Sequence, residues 1–139
     1  MKNEREQKID WLSRSKILRM RLIGLRAEHT ERLSRADYTG ISHSNTHGGS
    51  GNETEGRYIA LAETEAEMLA VQQELDRVEA EIRVAIEQVQ NPIYQTYLRM
   101  RFLAYKSERQ IAEAIGYSME SVDGHIRRKS IDAVKLNGK

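Results

Sequence analysis

The chain contains no cysteine, a single proline and few aromatic residues, which make up 6% of its 139 positions. Without cysteine there is no disulfide, no thiolate nucleophile and no cysteine-bound zinc, and the absence is typical of a reducing compartment. No apolar run approaches the roughly 20 residues that span a bilayer. The charged N-terminus also lacks the apolar stretch of a secretory signal. We therefore expect a cytoplasmic protein without membrane contact.

Charged side chains are abundant, at 31% of the chain, and they are segregated. Residues 1–38 carry 10 basic and 6 acidic side chains, residues 53–90 carry 3 and 10, and residues 91–139 carry 9 and 5. The low proline content and the many Glu, Arg, Leu and Ala residues indicate long helices and exclude a β-sandwich. The sequence predicts an all-α protein in which a basic and an acidic segment pair, and a second basic segment meets an anion.

Residues 4–34 are predicted to form one amphipathic helix. Trp11, Leu18 and Leu25 recur every seven residues, and the stripe is widened by Leu12, Leu22, Ile23 and Leu33. The intervening positions are largely basic, and they include Arg14, Lys16, Arg19, Arg21 and Arg26. Gly24, inside the helix, costs on the order of 1 kcal/mol relative to alanine and permits a close helix–helix contact.

A second helix is predicted over residues 55–90, with Asn52 or Thr54 as its N-cap. It carries a heptad pattern over four repeats, formed by Leu61, Thr64, Met68, Val71, Leu75, Val78, Ile82, Ala85 and Val89. Its flanks are acidic, which favours the basic helix as its antiparallel partner. We expect a coiled-coil helical hairpin over residues 1–90, joined by a flexible loop at residues 39–52, which are uncharged and rich in Gly and Ser.

Residues 91–139 are predicted to form a separate helical domain, because Asn91-Pro92 ends the long helix and Pro92 suits the first turn of another. Residues 92–104 place Ile93, Tyr97, Leu98, Phe102 and Leu103 on one face. A two-turn helix follows, with a capping box formed by Ser107 and Gln110. Its buried face is expected to comprise Ile111, Ala112 and Ile115.

The next residues have the spacing of a helix-turn-helix unit. Gly116 follows the small Ala112 by four positions and can adopt positive φ, and Ser118 can cap the next helix. Val122 and Ile126, with Ile131 further on, would pack that helix against the first one. Its remaining side chains would then face the major groove, followed by the basic cluster Arg127, Arg128 and Lys129.

The pattern therefore predicts a set of DNA-contacting residues. Exposed side chains near the start of a recognition helix usually read bases, and basic side chains around it bind phosphates. The predicted set is Ser107, Arg109, Ser118, Met119, Glu120, Ser121, Asp123, Gly124, His125, Arg127, Arg128 and Lys129. For Glu120 and Asp123 the alternative is a purely electrostatic role at the positive helix N-terminus.

Residues 91–134 resemble region 4 of the sigma-70 family. The resemblance rests on Leu98, Arg101, Phe102, Leu103, Ile111, Ala112, Glu113, Gly116, Tyr117, Ser118 and Val122, and it covers about a third of the chain. The whole layout is similar to phage-encoded, sigma-region-4-like regulators of the ArpU/RinA type, which combine an N-terminal helical hairpin, a Gly/Ser/His-containing loop and a C-terminal helix-turn-helix. The resemblance implies a prophage regulator of late or packaging genes.

These patterns predict a transcription regulator that is not an enzyme and needs no cofactor or metal. There is no nucleophile–base pair and no phosphate-binding glycine loop. The expected partners are double-stranded DNA and a second copy of the chain, in a dimer, with RNA polymerase as a further candidate. Two alternatives stay open: a small DNA-packaging subunit of the terminase type, and a structural coiled-coil adaptor that does not bind DNA.

Overall fold

The computed structural model describes residues 2–43 and 51–136, and over these ranges the chain is all-helical, without a strand. The α-helices are α1 (Glu4–Leu12), α2 (Arg14–His43), α3 (Gly51–Glu87), α4 (Pro92–Leu98), α5 (Glu108–Ile115), α6 (Met119–Ser121) and α7 (Arg127–Ala133). Two π-helical segments, Arg99–Leu103 and Val122–Ile126, extend α4 and join α6 to α7. In the described part of the chain, no helix has the length and apolar character needed to cross a bilayer.

The two long helices differ from the predicted ones in their boundaries. The first is interrupted at Ser13, between α1 and α2, and it continues past residue 34 to His43. The predicted loop 39–52 is wrong at both ends, since residues 39–43 and 51–52 are helical, and residues 44–50 lie outside the described residues. A helix tolerates these Gly, Ser and Thr residues because each costs at most about 1 kcal/mol and no proline intervenes. Because α3 begins at Gly51, neither Asn52 nor Thr54 is its N-cap.

The chain divides into two compact units, which we call the terminal unit (Met1–Ile17 and Leu75–Lys139) and the middle unit (Leu18–Glu74). The predicted domain boundary at residue 90 does not coincide with this division. The physical reason is that α1 packs on α7: Arg5 donates two hydrogen bonds to the Asp132 carboxylate, at 2.9 and 2.8 Å. The Lys8 ammonium, largely buried, also donates to the Asp132 carbonyl oxygen at 3.0 Å.

The terminal unit has a continuous apolar core. Asn91 caps α4, with Pro92 in its first turn as predicted. The Gln95 side-chain amide donates to the carbonyl of Val89, two residues after the end of α3, at 3.2 Å. The predicted apolar face of this segment is confirmed, since all five of its residues are buried or half-buried. The core residues are Leu12, Leu75, Val78, Ile82, Ile86, Val89, Tyr97, Leu98, Phe102, Ile111, Ala112, Val122, Ile126, Ile131 and Val134.

In the middle unit, polar side chains of α2 contact α3. Residues that come later in α2 contact residues that come earlier in α3. Arg26 donates to the Gln72 side chain, His29 Nε2 lies 3.2 Å from Glu65 Oε1, and Arg32 donates to the Ala60 carbonyl at 2.7 Å. This order is that of antiparallel helices.

The heptad pattern is confirmed in its burial, because all nine predicted positions are buried or half-buried. The predicted helix end at residue 90 is wrong, since α3 ends at Glu87 and Val89 lies beyond it. The α2 stripe is confirmed in part. Leu22 is buried, and Leu18 and Leu25 are half-buried. The prediction that Ile23 and Leu33 widen this stripe is wrong, since their side chains are 53% and 41% exposed.

Candidate nucleic-acid interface

The turn after α5 is built as the sequence predicted. The capping box is present at the start of α5: Ser107 Oγ accepts from the Gln110 amide, and the Gln110 side chain accepts from the Ser107 amide. Gly116 ends the helix with φ +75°, a conformation that residues with a Cβ rarely adopt. The amides of Gly116 and Tyr117 both donate to the Ala112 carbonyl, at 3.0 and 3.1 Å. The chain is therefore redirected within a single residue.

A continuous helical segment from Met119 to Ala133, which we call the C-terminal helix, follows this turn and comprises α6, a π-helical segment and α7. Ser118 caps it, with Oγ accepting from the Ser121 amide at 3.1 Å. The predicted core positions Val122, Ile126 and Ile131 are confirmed, with exposures of 0%, 1% and 1%. Val122 and Ile126 are the first and last residues of the π-helical segment, and Ile131 follows in α7.

The predicted DNA-contacting residues lie on the outside of this part of the terminal unit, and all but the half-buried Ser121 are exposed. The structure brings four of them together: Asp123, Gly124, Arg127 and Arg128 line one side of a groove of about 300 Å³. Its other side is formed by Arg5 and Ile9 of α1, and we call it the α1 groove. The remaining predicted residues are not among those that line it: Ser107, Arg109, Ser118, Met119, Glu120, Ser121, His125 and Lys129.

Positive charge dominates the lining of the α1 groove, which carries the three guanidinium groups of Arg5, Arg127 and Arg128. The hydrogen bonds from Arg5 hold the pKa of the Asp132 carboxyl below its usual range, and the nearby Lys8 and Arg128 add to this effect. The same contact raises the pKa of Arg5. Asp123, the carboxylate on the lining, lies 3.8 Å from Arg127. Against the carboxylates of Asp123 and Asp132, the three guanidinium groups leave an excess of one positive charge, which favours an anion.

Gly124 leaves the backbone of the C-terminal helix uncovered beside these arginines. A Cβ atom built at this position would have no neighbouring heavy atom within 4 Å. Glycine is thus not required here by packing within the chain, although it weakens a helix by about 0.5–1 kcal/mol relative to alanine. An incoming molecule can approach the helix backbone closely at this point.

A buried polar contact fixes the start of α5 beneath this surface. The Tyr97 side chain is fully buried, and its hydroxyl donates to Glu108 Oε1 at 2.8 Å. Arg101 Nε lies 3.2 Å from the same oxygen. Burial, together with the neighbouring carboxylate, raises the pKa of the Tyr97 hydroxyl far above its ordinary value, so it remains a donor. Arg101 therefore serves as a structural contact between the π-helical end of α4 and α5.

Sequence reasoning missed the contribution of α1 to this surface. Arg5 lies 127 positions from its partner Asp132, and no periodicity or motif links two such distant positions. The largely buried Lys8 lies on the side of α1 that faces the C-terminal helix, but this burial is visible only in the structure. The chain matches no protein-family model, no curated protein and no solved structure. Among residues 2–35 and 55–136, whose side chains the structure describes, no three His, Asp or Glu side chains are grouped so that they could hold a metal ion.

Proposed function

We propose that this chain is a sequence-specific DNA-binding transcription regulator. In this proposal α5, the turn at Gly116 and the C-terminal helix form a helix-turn-helix unit similar to sigma region 4. The observation that carries the proposal is the two-sided C-terminal helix. One side is buried through Val122 and Ile126, while the other leaves Gly124 and two arginines open to an incoming molecule.

The exposed side chains have the chemistry that double-stranded DNA requires. Glu120, at the exposed start of the C-terminal helix, can accept a hydrogen bond from cytosine N4, and Arg127 can bind guanine through two donors. Arg128 and Lys129 reach phosphates, while Arg5, on the opposite side of the α1 groove, is already paired with Asp132. Base readers and phosphate binders thus occupy neighbouring turns of one helix.

The remainder of the chain serves assembly in this proposal. A lone helix-turn-helix unit buries too little surface for tight, specific binding, so the regulator acts as a homo-oligomer or together with RNA polymerase. The antiparallel contacts between α2 and α3 support a coiled-coil hairpin as the assembling element. The resemblance to ArpU/RinA-type proteins adds the biological setting, a phage or prophage regulator of late or packaging genes.

Salt dependence of DNA binding tests the proposed phosphate contacts. Arg128→Ala should weaken binding to every sequence alike and lower the slope of log K against log salt by about one, because one fewer counterion is released. The matched control is Arg83→Ala, which removes an exposed arginine of α3 that is not part of the α1 groove lining. The control should leave both affinity and slope at their original values.

Base reading is tested separately from phosphate binding. Glu120→Ala should cost about 1–3 kcal/mol at particular base pairs and little on random DNA. The proposal is refuted if Arg128→Ala and Glu120→Ala both leave affinity and sequence preference unchanged at low salt. In that outcome the helix pair is a protein-packing element, and the chain is a structural adaptor.

A further inference from the structure

Large apolar side chains are exposed on both long helices of the middle unit. On α2, Met20 and Ile23 are 61% and 53% exposed, and on α3, Ile59 and Leu69 are 54% and 60% exposed. Small residues that are also exposed accompany them. We call Met20, Ile23, Gly24 and Ala27 the basic outer face, and Ile59, Ala62, Ala66 and Leu69 the acidic outer face, for the charges described below.

The contact between α2 and α3 leaves both outer faces uncovered. At about 100° per residue, the basic outer face lies opposite the side of α2 that carries Leu18, Leu22 and Leu25. The acidic outer face likewise lies opposite the side of α3 that carries Leu61, Thr64 and Met68. Each helix therefore has two apolar sides, of which one is used within the chain. The simplest explanation for the second apolar side of each helix is that another packing partner covers it.

The charges around the two outer faces are complementary. Beside the basic outer face lie Arg19 and Arg21, and Glu28, which follows this face, is paired with Arg32. Beside the acidic outer face lie Glu63 and Glu67. These two arginines and two glutamates are exposed, whereas Arg26 and Glu65 take part in the contact between α2 and α3. Two basic faces brought together would oppose like charges, and so would two acidic faces, whereas a basic face against an acidic face pairs opposite charges.

We infer that the basic outer face of one copy packs against the acidic outer face of a second copy of this chain. Gly24 fits such a contact, because a Cβ at that position would meet nothing within 4 Å inside the chain, and a neighbouring helix can approach its backbone closely. The alanines on both faces permit the same close approach. The occupant of each face is thus the other face of an identical chain.

Each outer face lies opposite the side of its helix that contacts the other helix, so the two faces point away from each other and one neighbour cannot cover both. The interface is therefore heterologous. Each copy uses its basic face on one neighbour and its acidic face on another, and the assembly grows beyond a dimer into a closed ring or an open chain. The inference concerns the assembly part of the proposed function. It does not depend on DNA binding, and it is tested with the full chain in the absence of DNA.

Two single-face variants test the inference by their mass in solution, measured by light scattering. Ile23→Asp places a carboxylate opposite the glutamates of a neighbour, and Leu69→Asp removes the apolar centre of the acidic face. Both positions are exposed, so each variant should keep its wild-type helicity by circular dichroism. The wild-type chain should exceed the mass of a dimer, and each variant alone should be a monomer. The control Val84→Asp, at another exposed position of α3, should retain the wild-type mass.

Mixing the two variants gives the sharpest result. Ile23→Asp keeps an intact acidic face and Leu69→Asp keeps an intact basic face, so an equal mixture should form a one-to-one heterodimer and nothing larger. The inference is overturned if the wild-type chain is a monomer or a dimer, or if either variant alone still associates. It is equally overturned if the mixture of two monomeric variants stays monomeric.

Discussion

The terminal and middle units bury their apolar residues to very different extents. Among the described side chains, seventeen hydrophobic residues are buried, and all but Leu22 and Val71 belong to the terminal unit. Of the ten large hydrophobic residues that are exposed, six lie in the middle unit. The terminal unit therefore has its own hydrophobic core. The middle unit depends on a narrow line of contact, and it presents apolar surface that a partner would cover.

The polar residues along this line explain the difference. His29 and Arg32 occupy seam positions of α2, and they bind Glu65 and the Ala60 carbonyl where leucines would otherwise pack. On α3, the fully buried Thr64 hydroxyl bonds to the carbonyls of Ala60 and Leu61, both at 3.0 Å. Polar residues at seam positions of a coiled coil fix its register while lowering its stability. The middle unit thus favours one alignment of its helices over tight packing.

The largest effect on stability is expected from a substitution that disrupts the core of the terminal unit. Ile126→Ala removes a side chain that is 1% exposed between the C-terminal helix and its neighbours, and it should lower the free energy of unfolding by about 2–5 kcal/mol. Chemical denaturation followed by circular dichroism measures this loss. Val84→Ala, at a 51% exposed position of the same unit, should change stability by less than about 0.5 kcal/mol. Equal losses for the two variants would show that the core does not lie beneath the C-terminal helix.

Substitutions of two glycines, one from each unit, should change stability by an intermediate amount. Gly116→Val forces a β-branched residue to φ +75°. A residue with a Cβ in the left-handed conformation usually costs roughly 1–2 kcal/mol of stability, and a β-branched residue should cost more. The variant should therefore have a lower melting temperature. Gly56→Ala, inside α3, should raise the stability of the middle unit by up to about 1 kcal/mol, because the position is helical and open. Thermal unfolding of both variants measures these opposite signs. A stabilised Gly116→Val would contradict the turn geometry.

The smallest expected effect concerns the contact between α1 and the C-terminal helix. Arg5 lowers the pKa of the Asp132 carboxyl from its ordinary 3.8, so this contact adds stability above that pH and loses it as the pH falls through the lowered value. Because both side chains are partly exposed, solvent screens the contact and the gain in stability should be small. Unfolding curves between pH 5 and pH 2 for the wild type and Asp132→Asn measure it. Parallel curves for the two proteins would exclude a stabilising role.

Local patterns in the sequence predicted much of the terminal unit. The spacing of Ala112, Gly116, Val122 and Ile126 was enough to predict the turn and the buried side of the C-terminal helix, because helix caps and helical periodicity act within a few residues. The heptad pattern of α3 could be recognised in the sequence for the same reason. The set of DNA-contacting residues was predicted by the same spacing, and it stays a prediction for the role of each residue.

Features that depend on distant contacts were not predictable. The pairing of Arg5 with Asp132, and with it the place of α1 in the terminal unit, has no local signature. On α2 the adjacent Leu22 and Ile23 both fit an apolar stripe, and periodicity alone cannot tell which of two apolar sides packs within the chain. The extension of α2 through residues 39–43 is not predictable from composition, because Gly and Ser are typical of loops although a helix accepts them at modest cost.

Selection of bound sequences from a random pool of double-stranded DNA, followed by footprinting, tests the central claim most directly. The account predicts an enriched sequence motif for the wild-type chain. It also predicts that Glu120→Ala changes the preferred bases at particular positions, while Arg128→Ala weakens binding but selects the same motif. A pool that shows no enrichment at low salt, or a motif that Glu120→Ala leaves unchanged while Arg128→Ala alters it, would contradict the account.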